Sequence, residues 1–150
     1  MYTTVLQILE ETSKMFSHKV AFADIKETYT FGQVVKKAKK IGSYLAAKVG
    51  QGKPIVVYME KNACNIVAFM GVVYAGCFYV PLDSQMPVDR IALILKTLSP
   101  SMIIYDDTTA EHIENLGTEF QSVHYKIAES AEVDEKQINS IRSRCKDTDI

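Results

Sequence analysis

Apolar positions are densest over residues 62–83, where their pattern predicts a buried helix that runs directly into a buried strand. Between residues 66 and 75 every side chain except Gly71 is apolar or Tyr. A helix that is apolar on all sides belongs inside a domain or a bilayer. The run is well short of the roughly 20 residues a bilayer crossing needs, so it reads as a core helix. Asn62 is placed to accept an otherwise orphaned amide of the first turn. Gly76 is placed to end the helix in the left-handed conformation that only glycine adopts without a Cβ penalty. Residues 77–80 then read as a short strand, closed by Pro81, which has no ladder donor.

The same patterning organises the rest of the chain. Thr4 and Gln7 make a capping-box pair that opens a helix to about residue 16, with Val5, Ile8 and Leu9 on one face. Residues 20–23 and 28–29 read as a hairpin around 24–27. Thr30 and Gln33 repeat the box, and the stripe Val34, Ala38, Ile41, Leu45 and Val49 carries a helix to about residue 49. Pro54 admits 55–59, a continuous apolar run suited to a central parallel strand. After a turn at 82–85, Pro87 starts a helix with Ile91, Ile94, Leu95 and Leu98 inward, and Pro100 blocks its continuation. Residues 102–105 form the next strand, and Ala110, Ile113 and Leu116 a short helix ending at Gly117. Val123 and Tyr125 anchor a strand near 121–127, and Ile138 and Ile141 a weak amphipathic helix over 134–145. Alternation of this kind predicts an α/β fold: a Rossmann-like, mostly parallel sheet with helices on both faces, plus a small N-terminal hairpin. The length suits a single domain over residues 1–150.

Composition excludes more than it assigns. The chain is 47% hydrophobic and 23% charged, which is ordinary for a soluble globular protein. A net charge of −1 supplies no attraction to nucleic acid or to an anionic membrane. No basic region precedes an apolar one at the N-terminus, so no signal peptide is read there. The three cysteines are scattered without zinc-ligand or redox spacing, and the expectation is a reduced, cytoplasmic protein.

No catalytic constellation stands out. Asp106 and Asp107 follow a strand, where open α/β sheets bind ligands. Asp before Thr is also ordinary turn and capping chemistry, and that reading is preferred. Lys36, Lys37, Lys39 and Lys40 read as a solvated helix surface and not an anion patch. Gly50 and Gly52 follow a helix and precede a strand, the reverse of a nucleotide-binding glycine loop. His18, His112 and His124 share no spacing of use to a metal or a triad.

Three stretches together carry a resemblance. Thr28-Tyr29-Thr30-Phe31-Gly32-Gln33-Val34, Ala75-Gly76-Cys77-Phe78-Tyr79-Val80-Pro81-Leu82-Asp83 and Pro87-Val88-Asp89-Arg90-Ile91 match, in order and spacing, motifs of adenylate-forming enzymes. The chain resembles the N-terminal part of the amino-acid adenylation domains of nonribosomal peptide synthetases and of D-alanine–carrier protein ligases. Tyr74 stands where that family usually has Lys, and Cys77-Phe78 is bulkier than usual.

The resemblance implies an enzyme that joins an amino acid to ATP with Mg²⁺, giving aminoacyl-adenylate and pyrophosphate. The aminoacyl group then passes to the phosphopantetheine thiol of a carrier protein. In such enzymes the phosphate loop, the metal carboxylates and the catalytic Lys come after a segment like residues 146–150. The expectation is therefore an inert N-terminal fragment with no catalytic, cofactor-binding or metal-binding residues of its own, prone to self-association through uncovered apolar surface. The alternative is a stand-alone, non-catalytic α/β binding or interaction module.

Overall fold

The computed structural model describes residues 4–145. Helix α1 (Val5–Phe16) leads into a hairpin of β1 (Val20–Ala23) and β2 (Thr28–Thr30), and α2 (Phe31–Ala46) follows. Then β3 (Pro54–Met59), α3 (Ala63–Tyr74), β4 (Phe78–Asp83), α4 (Val88–Leu98), β5 (Met102–Tyr105), α5 (Ala110–Leu116) and β6 (Ser122–His124) alternate. Two helices, α6 (Tyr125–Glu129) and α7 (Glu135–Arg142), complete the described chain.

Strands β3 to β6 form a parallel four-stranded sheet in the order β4-β3-β5-β6. The chain leaves β3 towards one edge and leaves β5 towards the other. Right-handed crossovers then put α3 on one face and α4 with α5 on the opposite face. Packing agrees: Ile55, Val57 and Met59 join the cluster of α2 and α3, whereas Val56 and Tyr58 join Ile91, Leu95 and Ile113. Burial on both faces is why β3 reads as an unbroken apolar run.

The caps follow the local sequence. Thr4 Oγ1 accepts from the Gln7 amide at 3.1 Å, and Thr30 and Gln33 form both halves of a capping box. Asn62 Oδ1 accepts from the Asn65 amide at 3.1 Å. At the other end of α3, Gly76 has φ +69°. The Gly76 amide donates to Val73 O at 2.9 Å and the Cys77 amide to Val72 O at 3.2 Å. This pair of bonds is the Schellman arrangement, which a left-handed residue makes possible. Gly71, the one interruption of the apolar run, lets α2 and α3 approach closely: a Cβ there would lie 2.5 Å from Ile41 Cγ2.

Several elements depart from the expectation. Helix α2 ends at Ala46 and not near Val49, although the Val49 amide still reaches Leu45 O at 2.8 Å. Pro81 does not end β4, which runs on to Asp83. The Phe78 amide donates inward to Lys53 O, so with a period of two the nitrogen of Pro81 lies on the open side of an edge strand. Its missing donor removes no ladder bond there. Tyr125 opens α6 instead of extending β6, because His124 Nδ1 accepts from the Lys126 amide at 3.2 Å and turns the chain. Nor is α3 covered all round: Ile66, Phe69, Met70 and Val73 are only half-buried. Two of the four α2 lysines are also tied down, Lys37 to Glu129 and Lys39 to Glu135, so this face is partly a docking surface for α6 and α7. Tyr74 is fully buried, and its hydroxyl donates to Glu10 Oε1 at 2.8 Å. Glu10 also pairs with Arg142, so one carboxylate joins α1, α3 and α7.

Candidate functional site

A doubly wound sheet offers a ligand crevice where its strand order reverses, outside the carboxyl ends of the strands. In this sheet that point lies between β3 and β5. A crevice of about 230 Å³ sits there, walled by the 24–27 turn, the start of α3, the ends of β3 and β5, and Tyr125 and Lys126. A larger cleft of about 730 Å³ lies at the opposite end of the sheet, beside the C-cap of α3. It is mostly apolar and is bounded by Thr4 and Cys145, the first and last described residues. Topology favours the smaller crevice as the place for chemistry.

Every carboxylate facing that crevice is already engaged by the chain. Asp24 Oδ1 accepts from the Lys26 and Glu27 amides at 2.6 and 2.8 Å. Its Oδ2 accepts from the Ala63 amide, the first of α3, at 2.7 Å. The Ala63 bond, followed by those of Glu27 and Lys26, holds the Asp24 carboxyl below the usual carboxylate range. Buried Asp106 bridges the two strand ends: Oδ2 takes the Glu60 amide at 2.9 Å, and Oδ1 takes the Thr108 and Thr109 amides. Thr109, wholly buried, donates its hydroxyl to Tyr58 O at 2.6 Å. Exposed Asp107 meets Lys126 Nζ at 2.8 Å and His124 Nε2 at 3.0 Å, and these contacts lower its pKa. Glu60 pairs with Lys26 at 3.3 Å. Turn and capping chemistry is therefore what Asp106 performs, while Asp107 makes a surface ion pair.

Beneath the crevice two groups share one carboxylate. Cys64 Sγ donates to Glu27 Oε2 at 2.8 Å, and the Tyr29 hydroxyl donates to the same oxygen. Cys64 Sγ also lies 3.1 Å from the Tyr29 hydroxyl and 3.3 Å from that of Tyr125. Bonds from Cys64 and then Tyr29 lower the Glu27 pKa, whereas burial, then Glu27, raises that of Cys64. The proton stays on sulfur, and a protonated thiol is a poor nucleophile. This cluster fastens the hairpin to α3 and α6 rather than activating a cysteine. Of the histidines, His112 Nδ1 contacts the Tyr58 hydroxyl at 2.5 Å and His124 serves Asp107; His18 is exposed.

Residues 9–149 match the AMP-binding enzyme family. The chain belongs to that family. Among curated relatives, it is 26% identical over 148 residues to tyrocidine synthase 1 of Brevibacillus parabrevis, covering 98% of this chain and 13% of that protein. It is 34% identical over 86 residues to the D-alanine--D-alanyl carrier protein ligase of Listeria welshimeri, covering 56% of this chain and 17% of the ligase. The chain thus spans well under a quarter of either protein's length. Among solved structures, a benzoate CoA ligase from Burkholderia xenovorans superimposes with a TM-score of 0.79 at 16% identity, over 90% of this chain and 30% of that one. VinN in complex with 3-methylaspartate gives 0.75 at 19% identity, over 95% and 38%. These likenesses show the adenylate-forming fold.

Family membership makes nucleotide and metal the groups to test against the crevice. At the start of α3 the Ala63 and Asn65 amides are taken by Asp24 and Asn62, and just ahead of α5 the Thr108 and Thr109 amides are taken by Asp106. These side chains compete with a phosphate for the same amides. Among the described residues no three His, Cys, Asp or Glu side chains converge in a way that could hold a metal ion. No helix among the described residues is long and apolar enough to cross a membrane.

Proposed function

We propose that this chain is the first structural part of an amino-acid-activating adenylation enzyme. The whole enzyme converts ATP and an amino acid, with Mg²⁺, to aminoacyl-adenylate and pyrophosphate. It then transfers the aminoacyl group to the phosphopantetheine thiol of a carrier protein. The observation that carries this reading is likeness along nearly the full chain to tyrocidine synthase 1, supported by the shorter match to a D-alanine--D-alanyl carrier protein ligase. The residues here supply scaffold: Asp24, Asp106 and Thr109 knit the carboxyl ends of β3 and β5 to the hairpin and to α3. Residues 1–150 alone are inactive in this reading and act in the cytoplasm as part of a longer polypeptide. The exposed flank of α3 and β4, with Tyr79 38% exposed beside Phe69, receives the rest of that polypeptide or, in its absence, a second copy.

The test is to read the coding frame beyond Ile150. Continuation into a glycine- and Ser/Thr-rich phosphate loop ending in Lys-Gly supports the enzyme. A stop codon there overturns it in favour of a stand-alone binding module.

A further inference from the structure

We propose that Cys145 and Cys77 form a thiol pair that closes to a disulfide under oxidation and staples the end of α7 to the joint between α3 and β4. Both residues line the larger cleft. Gly76 stands between them. Cys145 Sγ lies only 3.2 Å from where a Gly76 Cβ would be, so it rests against the backbone one residue from Cys77. The absence of a side chain at Gly76 is what admits the sulfur.

The two thiols differ in a way that orders the reaction. Cys145 is half-buried, Cys77 buried. Cys77 Sγ is held only by weak bonds to Gly50 O at 3.3 Å and Ala75 O at 3.8 Å, which it can surrender at little cost. A low-molecular-weight disulfide such as oxidised glutathione supplies the oxidising equivalents. The Cys145 thiolate attacks it, forming a mixed disulfide and expelling one glutathione thiolate. Cys77 then gives its proton to solvent, and its thiolate attacks the Cys145 sulfur and expels the second glutathione. Two protein thiols are oxidised and one glutathione disulfide is reduced. Burial raises the Cys77 pKa, so the second step quickens as pH rises.

The staple would add to the contacts that already hold α7, among them the Gln137 Nε2 bond to Ala46 O and the Asp134 amide bond to Ser43 Oγ. Ile138 and Ile141 bury against α2 and the Gly76 cap, Glu135 meets Lys39, and Arg142 meets Glu10. The disulfide would add a covalent tie between the end of α7 and the α3–β4 joint to these noncovalent contacts. Cys64 lies in the other crevice, bonded to Glu27, and serves as an internal reference.

The test is thiol counting by alkylation and mass spectrometry after incubation with a glutathione redox couple, with a peptide map under non-reducing conditions. The expected result is loss of two thiols of three, a 77–145 crosslink within one chain and a higher melting temperature. The Cys145→Ser and Cys77→Ala variants should lose both the crosslink and the temperature rise. A stable glutathione adduct on Cys145 with Cys77 free, a crosslink through Cys64 or between chains, or three remaining thiols would each overturn the proposal.

Discussion

At the residue scale, two glycines with nearly the same backbone conformation separate strain from packing. Gly52 and Gly76 have φ +68° and +69°, but a Cβ at Gly52 would meet nothing within 4 Å. At Gly76 it would lie 2.7 Å from Ile141 Cγ2. Gly52→Ala should therefore cost about 1 kcal/mol, and Gly76→Ala about 2 kcal/mol. Urea denaturation of both variants checks this, and equal losses would contradict the packing part of the account of Gly76. Asp106→Ala should cost about 2 kcal/mol in the same experiment, because it orphans the Glu60 and Thr109 amides. The Asp24 carboxyl has its pKa lowered in the fold, chiefly by the Ala63 amide. Its contribution is present above the unfolded value of about 4 and lost as pH falls through the lower folded value. Melting temperature should accordingly fall below about pH 4, and Asp24→Asn should flatten that fall. An unchanged acid limb in the variant would show that Asp24 is not a source of acid sensitivity.

At the scale of elements, what the sequence made legible was whatever is local. Caps at Thr4, Thr30 and Asn62, the left-handed Gly76 and the double burial of β3 all follow from side chains within a few residues. Pro81 reads as a strand stop by its chemistry, but its effect depends on which side of β4 is unpaired, and strand order is not a local property. Tyr125 reads as strand by propensity, yet the cap made by His124 Nδ1 overrides it. The candidate site was nearly silent in sequence. Asp24 is an ordinary turn residue until the fold brings the Ala63 amide to it, and Glu27, Cys64 and Tyr125 meet only through the hairpin, α3 and α6. Asp106 and Asp107 were visible as a pair after a strand, but only the bridge to Glu60 shows that Asp106 is structural. Tyr74 belongs at this scale too. Tyr74→Phe should cost about 1 kcal/mol and loosen α7, since Glu10 links Tyr74 to Arg142. Faster amide exchange in residues 135–142 would register it, and unchanged exchange there would show that Glu10 does not couple these helices.

At the scale of the whole molecule, the described residues leave apolar surface at the edge strand β4. Phe69 and Tyr79 stack with ring centroids 4.4 Å apart, and with Met70 and Val73 they leave apolar surface on the α3 side of the edge strand, while the neighbouring Phe78 is exposed on its other side. Pro81 on the open side of β4 hinders strand-on-strand addition, so whatever covers this flank packs by side chains. The isolated chain should self-associate at micromolar concentration, and Tyr79→Ser should return it to a monomer in sedimentation. A wild-type monomer would count against that flank as an interface. The central claim, that the chain holds the scaffold of an amino-acid adenylating enzyme without its chemistry, is tested most directly by amino-acid-dependent ATP–pyrophosphate exchange. The assay compares residues 1–150 with the same chain extended along its reading frame. The predicted result is background exchange from the 150 residues and exchange with a particular amino acid from the extended protein. Exchange above background from the short chain, or none from the extended one with any amino acid, would contradict it.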